Sequence, residues 1–223
     1  MRALRVMTMI GAGLAASGVV GGMSGCSSAG IALKERFGYA KREQLVDKVE
    51  ATRDSQEAAK KQFESALAEF IAVTGSGGGE LEAKYSKLNR EYERAETRAE
   101  AVRERIKETD RVASALFKEW KTELDEYSDA ELRRSSERQL DETRDRYAEL
   151  MDAMNEAASR MDPVLERFRD QVLFLKHNLN ARAVAGLKQS VSGMQSDVET
   201  LIREMEASIA EANAFIQEMG KSG

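Results

Sequence analysis

A 4–3 alternation of apolar residues, kept up heptad after heptad, leaves this chain little choice but long helices that pack along a continuous stripe. The longest regular run is Leu81, Tyr85, Leu88, Tyr92, Ala95, Ala99, Val102, Ile106, Thr109, Ala113, Leu116 and Trp120. An earlier one is Leu45, Val49, Thr52, Gln56, Ala59, Phe63, Ala66 and Phe70. A third runs Leu140, Thr143, Tyr147, Leu150, Met154, Ala157, Met161, Leu165, Phe168, Val172, Leu175 and Leu179. The last runs Val184, Leu187, Val191, Met194, Val198, Leu201, Met205, Ser208, Ala212, Phe215 and Met219. No stretch alternates apolar and polar at period two for long, so strands are not expected.

Punctuation is sparse. Between residues 31 and 219 the only proline is Pro163, and glycine occurs only as Gly38, Gly75, Gly77, Gly78, Gly79, Gly186 and Gly193. Gly75-Ser76-Gly77-Gly78-Gly79 cannot sustain a helix. Tyr127-Ser128-Asp129 marks a second break, where Ser128 and Glu131 have the spacing of a capping box. A third break falls either at Asp162-Pro163 or at His177-Asn178-Leu179-Asn180. The second is preferred because it equalises the helices, with Asn178 left-handed, Leu179 making the accompanying apolar contact and Asn180 capping the next helix. The expected fold is all-α: an elongated antiparallel bundle with coiled-coil packing and helices over about 31–73, 80–126, 129–177 and 181–219. The polar seam members Thr52, Gln56, Thr109 and Thr143 either fix register or lie at the groove edge, and the edge is the preferred reading.

The first thirty residues are a separate object. Arg2 and Arg5 precede a run of small and apolar residues from Val6 to Met23, and no charge follows Arg5 until Lys34. That is the layout of a bacterial export signal. The only cysteine of the chain then appears in Met23-Ser24-Gly25-Cys26. This resembles the lipoprotein signal motif, in which small residues precede a cysteine that is acylated, with chains such as palmitate, and becomes the mature N-terminus. A plain secretory signal or a membrane anchor is the alternative, although five glycines make the apolar run a weak helix. The expected organisation is a signal peptide over 1–25, a lipidated N-terminus and short linker over 26–30, one bundle over 31–219 and a tail over 220–223. Ser27 follows the cysteine where an Asp would hold such a lipoprotein at the inner membrane. The resemblance therefore implies the outer membrane, with the protein facing the periplasm.

Chemistry is harder to find. The 34 Lys+Arg against 39 Asp+Glu give a formal net charge of −5, which is no electrostatic footprint for nucleic acid. One Cys and one His exclude multi-ligand zinc sites, an internal disulfide and a four-helix di-iron centre. The glycine run lacks the Lys-Ser/Thr ending of a phosphate-binding loop, since Glu80 follows it. His177 sits at an expected helix end beside Lys176, where positive charge is favourable, and no nucleophile elbow lies nearby. Carboxylates such as Glu119, Glu123, Asp125 and Glu126 are spread along charged faces, as are Glu100 and Glu104 with Arg103 and Lys107. Neither an enzyme nor a cofactor is expected. The most informative cluster is Lys34, Arg36, Phe37, Tyr39, Lys41 and Arg42, whose cations and aromatic rings suit a lipid headgroup zone. They are the candidate membrane-contact residues, beside the preferred alternative that Phe37 and Tyr39 cap the end of the bundle core.

Three blocks carry a resemblance. They are Gly38-Tyr39 with Lys41-Arg42, Leu45-Val46-Asp47 and Arg53-Asp54-Ser55-Gln56-Glu57-Ala58; Leu116-Phe117-Lys118-Glu119-Trp120 with Glu123-Leu124 and Tyr127; and Asp170-Gln171-Val172-Leu173-Phe174-Leu175-Lys176-His177-Asn178-Leu179-Asn180-Ala181. Together they resemble a proteobacterial family of predicted coiled-coil lipoproteins, classed as a domain of unknown function. The resemblance implies no activity, cofactor or catalytic residue. The expected role is a structural or interaction scaffold, held to the membrane through acylated Cys26 and engaging an unidentified protein partner or a second copy. The alternative is a carrier whose seam opens around a lipid or other apolar ligand, with Met151, Met154, Met161, Met194 and Met205 as an adaptable lining.

Overall fold

A computed structural model describes residues 26–75, 80–178 and 180–221, with side chains from residue 41 onward except at positions 181 and 221. The expected signal peptide and Leu179 lie outside the described residues. The chain divides into two compact units, Met1–Glu35 and Arg36–Gly223. Of the first, only helical backbone from residue 26 is described. The expected linker over 26–30 is part of that helix.

Four helices make up the described chain: α1 (Cys26–Gly75), α2 (Leu81–Glu123), α3 (Ala130–His177) and α4 (Ala181–Lys221), with a short 3-10 turn, Leu124–Glu126, after α2. No strand occurs among the described residues. The second unit is an up-down-up-down bundle, and the side-chain pairs across each seam show its direction. From α1 to α2 they run Lys41–Glu119, Lys48–Glu108 and Glu69–Lys87, one number rising as the other falls. From α2 to α3 they run Trp120–Ser136, Asp110–Tyr147 and Arg103–Asp162. Arg146–Glu218 and Arg167–Asp197 join α3 to α4. Arg53–Asn213 and Lys60–Glu206 close the ring between α1 and α4. Across the diagonal Phe70 meets Phe168 edge-to-face at 6.2 Å.

The heptad seams are the core. Leu45, Val49, Phe63 and Phe70 of α1, Leu88, Val102 and Leu116 of α2, Leu140, Leu150 and Met154 of α3, and Leu187, Leu201 and Met205 of α4 are all buried. Each such side chain contributes about 1.5–3 kcal/mol against the entropy of ordering the helices. Tyr147 stacks edge-on against both Phe117 and Phe215, which knits α2, α3 and α4 together.

Three details differ from the sequence expectations. Thr52, Gln56 and Thr109 are fully buried rather than at the groove edge. They are tolerated there because each finds a partner: Thr52 Oγ1 lies 2.9 Å from Thr109 Oγ1, and Gln56 Nε2 donates to Ser208 Oγ at 2.9 Å. Only Thr143 stays half-buried, donating to the Gln139 carbonyl one turn back at 2.7 Å. The N-cap of α3 is Asp129, not Ser128, and its carboxylate accepts from the amides of Glu131 and Leu132 at 2.7 and 3.1 Å. The third break falls at 177–180, yet Asn178 is not left-handed (φ −130°, ψ 60°). Its side chain instead donates to the Phe174 carbonyl at 3.0 Å, while Asn180 Oδ1 accepts from the Ala183 amide at 2.9 Å and caps α4. Pro163 lies inside α3.

Candidate functional site

Cys26 is the first residue of α1. The side chains of Cys26, Lys34, Arg36, Phe37 and Tyr39 lie outside the described residues, so only their helical backbone is placed. Lys41 and Arg42, the last two members of the candidate membrane cluster, are engaged within the bundle. The Lys41 ammonium pairs with Glu119 Oε2, an oxygen buried in the seam. The Arg42 guanidinium sits 5.5 Å from the centre of the Trp120 ring, a cation–π contact. Burial lowers its pKa from the ordinary arginine value. Trp120 in turn donates its indole N–H to Ser136 Oγ at 2.8 Å. One chain of contacts therefore ties the start of α1 in this unit to the end of α2 and the beginning of α3. Trp120 ends the α2 seam and was readable from the heptads; Ser136 was not, because a lone serine on a helix carries no pairing signal.

The remaining candidates are spread out rather than convergent. His177 is exposed at the last turn of α3 beside Lys176, where cations suit the helix C-terminus. Asp125 pairs with Arg133 at 2.9 Å, Glu100 with Arg103 at 3.1 Å and Glu104 with Lys107 at 2.7 Å. Arg103 also reaches across to Asp162 on α3. Lys48, and secondarily Arg105, hold the Glu108 carboxyl below the usual carboxylate range. Among the described residues no group of three or more His, Cys, Asp or Glu side chains is placed to hold a metal ion.

Met154, Met161, Met194 and Met205 are fully buried and Met151 is half-buried against them. They fill the core at the α3–α4 seam instead of lining a space. The cavities described lie at the surface, among them a narrower one of about 160 Å³ beside Arg42, Thr143, Arg146, Phe215 and Met219. One of about 570 Å³ between α3 and α4 is lined by Asp152, Asn155, Glu156, Ser159 and Glu204, and one of about 260 Å³ lies between α2 and α3 near Arg103 and Asp162. Charged and polar side chains stand along both, beside Ala153 and Ala207 in the first and Ile106 and Ala158 in the second, and both are open to solvent. No helix among the described residues is long and apolar enough to cross a membrane.

Residues 31–219 match the model of a family described as a protein of unknown function, DUF2959. The chain belongs to the DUF2959 family. The DUF2959 match takes in every core residue from Leu45 to Met219. No curated protein and no solved structure matches the chain.

Proposed function

We propose that this DUF2959 protein is a lipid-anchored, non-enzymatic scaffold, held by acylated Cys26 in the outer membrane and facing the periplasm. The observation that carries the reading is the N-terminal layout: Arg2 and Arg5, an uncharged apolar run from Val6, then Met23-Ser24-Gly25-Cys26 with the chain's only cysteine. Two features of the bundle support a role in contact rather than catalysis. Many of its charged side chains are taken up in pairs along the helix faces, such as Glu100–Arg103 and Arg167–Asp197. Met154, Met161, Met194 and Met205 are packed solid, which favours a scaffold over a carrier that would need them to make way for an apolar ligand. The scaffold works by anchorage and by what its surface presents to a protein partner or a second copy.

Crosslinking in intact cells, followed by identification of the captured proteins, tests this reading. A specific partner, or the protein itself, captured by the parent and lost in Cys26→Ser supports it. A stoichiometric bound lipid in protein purified in mild detergent, with no captured protein, moves the role to the carrier.

A further inference from the structure

We infer that α1 is the element along which the bundle opens, parting from α2 and α4 while α2, α3 and α4 stay packed on one another. Between Val49 and Phe63 the fully buried positions of α1 are Thr52, Gln56 and Ala59, so two heptads pass without one large apolar side chain. Their partners on the neighbouring helices are Thr109 and Ser208, also fully buried. The α3–α4 seam at comparable depth is built from Leu150, Met154, Leu201 and Met205. Buried polar pairs hold helices together less strongly than well-packed apolar residues of similar volume, so the cost of opening is lowest where α1 meets its neighbours.

The hydrogen bonding suits parting as well as closure. Thr52 Oγ1 lies 2.9 Å from the Lys48 carbonyl and Thr109 Oγ1 lies 3.0 Å from the Arg105 carbonyl, each on its own helix. When α1 leaves α2, the 2.9 Å contact between the two hydroxyls and the 3.2 Å contact of Thr109 Oγ1 with the Lys48 carbonyl are lost, but each hydroxyl keeps the carbonyl of its own helix. Gln56 and Ser208 satisfy each other at 2.9 and 3.1 Å when closed, and regain water when open. The rim is made of partly exposed pairs, Lys48–Glu108 at 3.0 Å and Lys60–Glu206 at 3.4 Å, which re-solvate at little cost.

Hydrogen–deuterium exchange of the full chain in mild detergent, read by mass spectrometry over a urea series, tests this. Peptides covering 45–63 are expected to exchange at least ~10-fold faster than those covering 150–168 and 194–212, and with a weaker urea dependence. Replacing either polar pair, Thr52→Val with Thr109→Val or Gln56→Leu with Ser208→Ala, is expected to slow the 45–63 peptides by roughly 3-fold or more. The inference is overturned if all four helices of the parent exchange at one rate with one urea dependence. It is overturned too if a folded variant of either pair leaves exchange in α1 unchanged or faster.

Discussion

Tyr147 buries its ring between Phe117 and Phe215 and donates its hydroxyl to Asp110 Oδ1 at 3.2 Å. Burial first, and the Asp110 carboxylate second, push the phenol far above its ordinary pKa of 10.0. A group raised in this way contributes stability that is present in full below its unfolded pKa and is lost as pH rises toward the folded one. Thermal unfolding is therefore expected to show a loss of stability setting in above about pH 10. Tyr147→Phe should cost about 1 kcal/mol at neutral pH for the lost hydrogen bond, and it should flatten that alkaline limb. Parallel alkaline limbs in parent and variant would assign the loss to another group. Glu80 makes a separate case. It is the residue before α2 and holds φ 47°, ψ 48°, a left-handed conformation that L side chains adopt at a cost. It remains useful there because its carbonyl accepts the Lys84 amide at 3.1 Å and starts the helix. Glu80→Gly keeps that carbonyl and removes the strain, so chemical denaturation should show a gain of up to about 1 kcal/mol, less the extra freedom of the unfolded glycine. A loss of stability would mean that the Glu80 side chain holds the turn in some other way.

Among the elements, α3 carries the one sequence contradiction, a proline in its interior. Pro163 has no amide hydrogen, so the Ser159 carbonyl one turn back loses its helical donor. The helix runs on because Met161, Val164 and Leu165 around the proline are all buried, and because Asp162 is held by Arg103 of α2. Packing outweighs local propensity here, and Pro163→Ala should raise stability by about 1–3 kcal/mol in denaturant unfolding. An unchanged or lowered midpoint would mean that the proline ring is needed for the α2–α3 fit. The same competition explains what could be read from the residues alone. The α1 seam from Leu45 to Phe70 is buried at every position, because a 3.5-residue repeat has only one face to bury. Whether Thr52 and Gln56 sit inside that face or at its edge depends on Thr109 and Ser208, far away in the chain, and no local pattern announces such pairs. The cap of α3 was missed by one residue because Ser128 and Asp129 are both good N-caps, and only backbone geometry chooses between them. At the candidate site, Lys41 and Arg42 were legible as cations near aromatic rings. Their attachment to Glu119 and Trp120 was not, since the same composition suits a lipid surface and a helix seam alike.

For the whole molecule, the arrangement of chemistry matters more than any one residue. Four seams close one apolar core, ion pairs are spread over the flanks, and the described cavities are surface grooves of mixed polar and apolar lining. On the proposed scaffold reading such a surface would recognise a partner by shape and charge pattern, and the proposed tether would raise its effective concentration for a partner on the same membrane. The tether is the claim on which the functional account rests. It is tested most directly by intact-mass and peptide mass spectrometry of the protein isolated from membranes of its own cells. The account predicts a mature chain that begins at Cys26, with that residue carrying acyl chains and residues 1–25 removed. A chain that keeps residues 1–25, or begins elsewhere with Cys26 unmodified, would contradict it.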